Sequence, residues 1–216
     1  LRGQTRSHGD FSDEAFDEAS FVAGLPEYGS RHFAHYYFIV KMQTLYLWGR
    51  LEDARATLHA AGPYLKDSKG MLHSAEHRFY QALILAASCR SGSAPQRRSG
   101  LQIIRKQHRI LQKWAAQCPH NFLHKERLVA GELARLSGDP VRAVELYSAA
   151  HRAAAESGYQ HIEALAHQLS ASALCDIDPT AAASHLEAAR ALYRRWGASA
   201  FADSLEDAKV SNEIQS

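Results

Sequence analysis

The chain has 216 residues, 46% of them hydrophobic, and its 25 Lys and Arg against 23 Asp and Glu leave a net charge of +2. That balance excludes the cationic bias of a nucleic-acid binder, and the ordinary apolar share excludes a disordered chain. The longest apolar runs, such as Ala82 to Ala87, fall far short of the roughly 20 residues a bilayer helix needs, and no cationic segment followed by an apolar stretch marks a signal peptide.

From the N-terminus, residues 1–29 carry the acidic stretch Asp10 to Glu18. Ser12 is the expected cap of a short helix ending near Gly24, Leu25 and Pro26. This segment is read as an N-terminal cap on one helical-repeat domain over residues 30–216. Apolar periodicity then predicts helices over residues 31–48, 51–65, 71–89, 99–116, 121–136, 141–156, 160–174, 180–196 and 198–210. Ser91 to Gln96 is the clearest expected loop. No alternating apolar and polar run competes, so the predicted class is all-α. Cys89, Cys118 and Cys175 are odd in number and widely spaced, which fits reduced thiols in a cytoplasmic protein and gives no zinc-ribbon spacing. The chain starts at Leu1 without a methionine and is expected to be a piece of a longer protein.

A repeat organises these helices. Gly131 lies mid-helix, where a missing side chain lets a neighbouring helix approach; Gly138 closes that helix, and Ala143, Tyr147 and Ala150 follow at set offsets. Ala54, Leu58 and Ala61 hold the same offsets from Gly49. Leu133 and Leu136 on one helix, with Val141, Leu146, Tyr147 and Ala150 on the next, form apolar stripes that only stacked hairpins would bury. The pattern is that of a tetratricopeptide-like (TPR-like) α-α superhelix, a solenoid of about five helical hairpins, less regular than the roughly 34-residue standard.

Four ordered segments carry a resemblance: His77-Arg78-Phe79-Tyr80 with Leu83; Lys113-Trp114-Ala115 with Cys118-Pro119-His120-Asn121-Phe122-Leu123-His124-Lys125; Glu163-Ala164-Leu165-Ala166; and Tyr193-Arg194-Arg195-Trp196-Gly197-Ala198. With Gly9-Asp10-Phe11, Asp13 and Glu14 near the start, they resemble the helical-repeat region of very large bacterial signalling proteins. There a serine/threonine-kinase-like domain and an AAA-type ATPase precede the repeats, and a GAF domain with a sensor histidine kinase commonly follows. The resemblance implies a connecting scaffold of a two-component signalling protein, with neither ATPase nor kinase core present. The sequence agrees, since it has no phosphate-cradling glycine loop and no kinase catalytic-loop triplet.

One motif carries possible chemistry. His73-Ser74-Ala75-Glu76-His77 has the H-x-x-E-H spacing of inverted zinc peptidases, with Glu132 or Glu145 as conceivable third ligands. No recognisable third-ligand segment follows and no strand is expected to hold a substrate, so the expectation is no metal, no cofactor and no catalytic residue. His32 with His35 and His120 with His124 are further helical pairs, read as chance neighbours, with His124 expected to be buried and hydrogen-bonded. Arg97, Arg98, Arg105, Lys106, Arg109 and Lys113 gather before Trp114, set against Ile103, Ile104, Ile110 and Leu111 on the inward face. Tyr36, Tyr37, Phe38, Tyr46 and Trp48 are core residues or the lining of a ligand groove. The residues expected on a presented binding face are Tyr37, Arg105, Arg109, Lys113, Lys125 and Arg127, with protein partners and neither nucleic acid nor membrane. The expected function is a non-enzymatic scaffold for protein or interdomain contacts in an ATPase/kinase signalling protein. The alternative is a ligand- or peptide-sensing module of a regulator, favoured by any deep groove with convergent polar groups.

Overall fold

Aspartate followed by proline sets where two of the helices begin. Asp139 and Asp178 each accept a hydrogen bond from the backbone N–H three residues on, at 2.9 and 3.0 Å, and Pro140 and Pro179 open the helices they cap. The aspartate satisfies an otherwise unpaired donor, and proline has no N–H to leave unpaired there. The computed structural model describes residues 1–25, 30–68, 70–89 and 92–205.

Helices run in the order α1 (Glu18–Gly24), α2 (Arg31–Leu47), α3 (Leu51–Ala61), a 3-10 segment (Gly62–Ser68), α4 (Leu72–Ser88), α5 (Ala94–Gln117), α6 (Pro119–Leu136), α7 (Pro140–Glu156), α8 (Gln160–Leu174) and α9 (Pro179–Trp196). Residues 199–205 are also helical, and the described residues contain no strand. Successive helices pack as the pairs α2/α3, α4/α5, α6/α7 and α8/α9, and the even-numbered helices touch one another in series. Among the described elements, helix α5 touches only α4 and α6. One cluster of buried side chains runs from Ile39 in α2 to Ala202.

The repeat positions fill this core. Ala54, Ala143, Tyr147 and Ala150 are fully buried, and Gly49 and Gly138 turn the chain with positive φ of 69° and 84°, a conformation that strains any side chain bearing Cβ. At Gly131 the Tyr147 ring occupies the space of the missing side chain: a Cβ there would lie 2.4 Å from Tyr147 Cε1.

Several boundaries depart from expectation. Helix α1 starts at Glu18, capped by Asp17 (Ser20 N to Asp17 Oδ1, 2.8 Å), because the Asp13 carboxylate takes the N–H groups of Ala15 and Phe16 and holds a turn instead. Ser12 therefore caps nothing at its own position; its hydroxyl accepts from Glu18 N at 3.1 Å. Helix α3 gives way at Gly62-Pro63 to the 3-10 segment. Helix α5 begins at Ala94, so residues 94–96 of the expected loop are its first turn, where the Gln96 side chain accepts from Ser93 N at 2.9 Å. Ser91 and residues 206–210 of the last expected helix lie outside the described residues.

The first and last hairpins are joined. Phe201 N donates to Leu1 O at 3.2 Å, the Phe201 ring meets Trp48 and Tyr193 edge-on, and His8 stacks on Trp48 at 3.7 Å. Arg50 adds a bond to His8 O at 2.7 Å. The acidic N-terminal segment is anchored inward as well, since buried Glu18 pairs with Lys41 at 2.6 Å and accepts from Phe11 N.

Candidate functional site

Helix α5 has one face of each kind. Ile104, Gln107, Leu111 and Ala115 are buried, and Ile103 and Ile110 are partly so. The opposite face exposes Arg98, Arg105, Lys106, Arg109 and Lys113, and none of the five makes a hydrogen bond or ion pair with a described residue. Arg105, Arg109 and Lys113 recur every four residues, so they line one side of the helix about 6 Å apart along its axis. The segment between Glu76 and Glu126 contains no Asp or Glu, so these charges have no local counter-ion in sequence. Arg97 differs: its guanidinium donates to Leu136 O.

Of the other residues expected on this face, Arg127 is partly buried and sits 3.4 Å from Glu126. Tyr37 is elsewhere, since α2 and α5 do not touch. Its hydroxyl donates to Glu18 at 2.7 Å, and its ring belongs to an apolar surface patch with Phe11, Phe16, Phe33 and Tyr36. Lys125 is not presented at all. Its side chain is 1% exposed, with Nζ 3.1 Å from Glu76 Oε1, 3.0 Å from His124 Nε2 and 4.5 Å above the Tyr159 ring. The cause is the helix it lies on: position 125 faces α4, and the ammonium finds there the carboxylate and aromatic face that a buried cation requires. Lys125→Ala is accordingly expected to cost about 2–4 kcal/mol, the price of orphaning a half-shielded Glu76. Exposed Arg105→Ala is expected to stay within about 0.5 kcal/mol. Urea denaturation of both variants checks this, and equal effects would return Lys125 to the surface.

The zinc-like motif is taken apart by its surroundings. Glu76 is committed to Lys125, and buried His77 places Nδ1 3.0 Å from His35 Nε2, whose ring is fixed through Nδ1 by Ser68 Oγ at 2.6 Å. Burial, then the neighbouring imidazoles, push His35 and His77 down to about 4, so both are neutral at pH 7. His73 lies against His35 and His32. The conceivable third ligands are engaged too: Glu132 with Tyr147 and Arg135, Glu145 with Arg142. Among the described residues no group of three or more His, Cys, Asp or Glu is placed to hold a metal ion.

His124 is buried as expected, with burial, then the Lys125 charge, pushing it down to about 3. Two arrangements escaped the sequence reading. His151, His167 and His185 meet across α7, α8 and α9, with His167 and His185 Nδ1 atoms 2.8 Å apart. Glu132, 2% exposed, collects Arg135 at 2.7 Å and the Tyr147 hydroxyl; only the Glu132-Arg135 spacing of one helical turn hinted at it. With this geometry in hand, comparison with family models, with curated proteins and with solved structures finds no match for the chain.

Proposed function

We propose that the chain is a non-catalytic, TPR-like scaffold that mediates protein or interdomain contacts in a cytoplasmic ATPase/kinase signalling protein. The series of touching even-numbered helices, each paired with the helix that follows it, supports the stacked-hairpin reading. Glu76, His77 and Glu132, which sequence made candidates for chemistry, are engaged in structural pairs, which supports a presenting role. The observation that carries the proposal is the cationic face of α5, whose five side chains have no partner among the described residues. A face of one sign with no acid near it in sequence suits an acidic protein surface.

The test is calorimetric titration of the chain with the ATPase and kinase-like modules of such a signalling protein, with and without ATP. The triple variant Arg105→Glu, Arg109→Glu, Lys113→Glu is expected to bind at least about tenfold more weakly and to lose its salt dependence, with an unchanged melting temperature. Binding that survives the charge reversal, or no binding by the wild type, would overturn the proposal.

A further inference from the structure

A cavity of about 250 Å³ lies among the even-numbered helices, lined from α2 by Tyr46, from α4 by Ala87, from α6 by Glu132 and Arg135, and from α8 by Leu165, Gln168, Leu169 and Ser172. Its carboxylate and carboxamide oxygens are already engaged. Glu132 receives the Tyr147 hydroxyl and both Nε and Nη2 of Arg135, and Gln168 Oε1 receives the Tyr193 hydroxyl at 2.8 Å. Its donors are not. Nη1 of Arg135, the Tyr46 hydroxyl, the Gln168 amide nitrogen and the Ser172 hydroxyl make no hydrogen bond with a described residue. The remaining wall is Leu165, Leu169 and Ala87, with Leu47, Gly49 and Leu51 where α2 turns into α3.

An occupant of this space must bring acceptors and little else that is polar. The unused edge of Arg135, whose charge Glu132 balances, offers an occupant a donor and no acceptor, and a carboxamide would bring two further donors to a site already rich in them. A carboxylate offers acceptor positions to several donors at once and gains a charge-assisted bond to arginine. We propose that this cavity binds a small monocarboxylate with a compact apolar body, held by Arg135, Tyr46 and Gln168 and packed on Leu165 and Leu169. The inference is independent of the α5 surface.

The experiment is calorimetric titration of the full chain with benzoate and with 4-methylpentanoate, using benzamide as the uncharged isostere of the first. Saturable 1:1 binding of at least one acid is expected, with benzamide at least about tenfold weaker for the loss of a charge-assisted bond. Tyr46→Phe removes one donor and orphans nothing, and is expected to weaken binding about threefold to tenfold. Ala87→Leu fills the space and is expected to abolish it with the melting temperature kept. Neither acid saturating, benzamide binding as tightly as benzoate, or Tyr46→Phe binding like wild type would each overturn the assignment; Tyr46→Phe decides if Ala87→Leu does not fold.

Discussion

Gly131→Leu is expected to lower the melting temperature by about 3–10 °C. Any Cβ at this position meets the Tyr147 ring at 2.4 Å, closer than side-chain contacts allow, so either α6 and α7 separate or the ring swings away. Separation is overpacking, about 1–3 kcal/mol. Swinging breaks the bond from the Tyr147 hydroxyl to Glu132, a buried carboxylate that needs its donors, and a hydrogen bond to a charged group contributes about 1.5–3 kcal/mol. The better helix propensity of leucine returns less than about 1 kcal/mol. Shrinking the partner should restore part of the loss, so Gly131→Ala with Tyr147→Leu is expected to be more stable than the two separate effects sum to. A melting temperature equal to wild type for Gly131→Leu would remove the close approach of α6 and α7 as an account of the repeat.

Acidification from pH 6.5 to pH 5 is expected to cost about 3 kcal/mol or more of stability, with little change between pH 8 and pH 7. His35, His77 and His124 are buried and held, by burial first, at about 4, about 4 and about 3, below the ordinary 6.5. Between those values the unfolded chain binds protons that the folded chain refuses, so stability rises with pH through this window and is lost as pH falls through it. Each such group contributes a slope of up to about 1.4 kcal/mol per pH unit. His161 and His167, also pushed down to about 4 by burial, act in the same direction at partly buried positions. His35 and His77 share one hydrogen bond, so once both rings are protonated neither nitrogen can accept it, and two like charges face each other between α2 and α4. Thermal melts from pH 4.5 to pH 8 check this, and His77→Leu should flatten part of the dependence. A melting temperature constant from pH 7 to pH 5 would contradict the buried neutral pair.

Helix positions were legible because the chain punctuates itself. Asp139-Pro140, Asp178-Pro179 and Gly138 are local signals whose physics acts within one turn, and α6 to α9 begin and end within a residue or two of the expected places. The all-helical class followed from the same periodicity. What failed depended on distant partners. Lys125 reads as one more surface cation until α4 supplies Glu76, 49 positions earlier, and no local pattern says that the Tyr37 hydroxyl reaches Glu18. Ser12 failed for the opposite reason: a competing side-chain turn at Asp13, only one residue on, has the same composition as a helix cap. The histidines at positions 35 and 77 were visible as two separate helical pairs, and nothing within either helix says that they meet.

The bond between Leu1 O and Phe201 N, locked by Trp48, makes the path of the chain a loop. A contact across 200 positions is closed only after the intervening hairpins exist, so this seam is a late event in folding and the first to open under force applied to the two ends. Leu1 and the last described helix lie together on one side of the stack, so the two ends of the described fold are separated by almost no distance although the whole stack lies between them in sequence. A duplication or deletion of one hairpin would break this registration, whereas cutting the chain elsewhere and sewing the seam shut would preserve it.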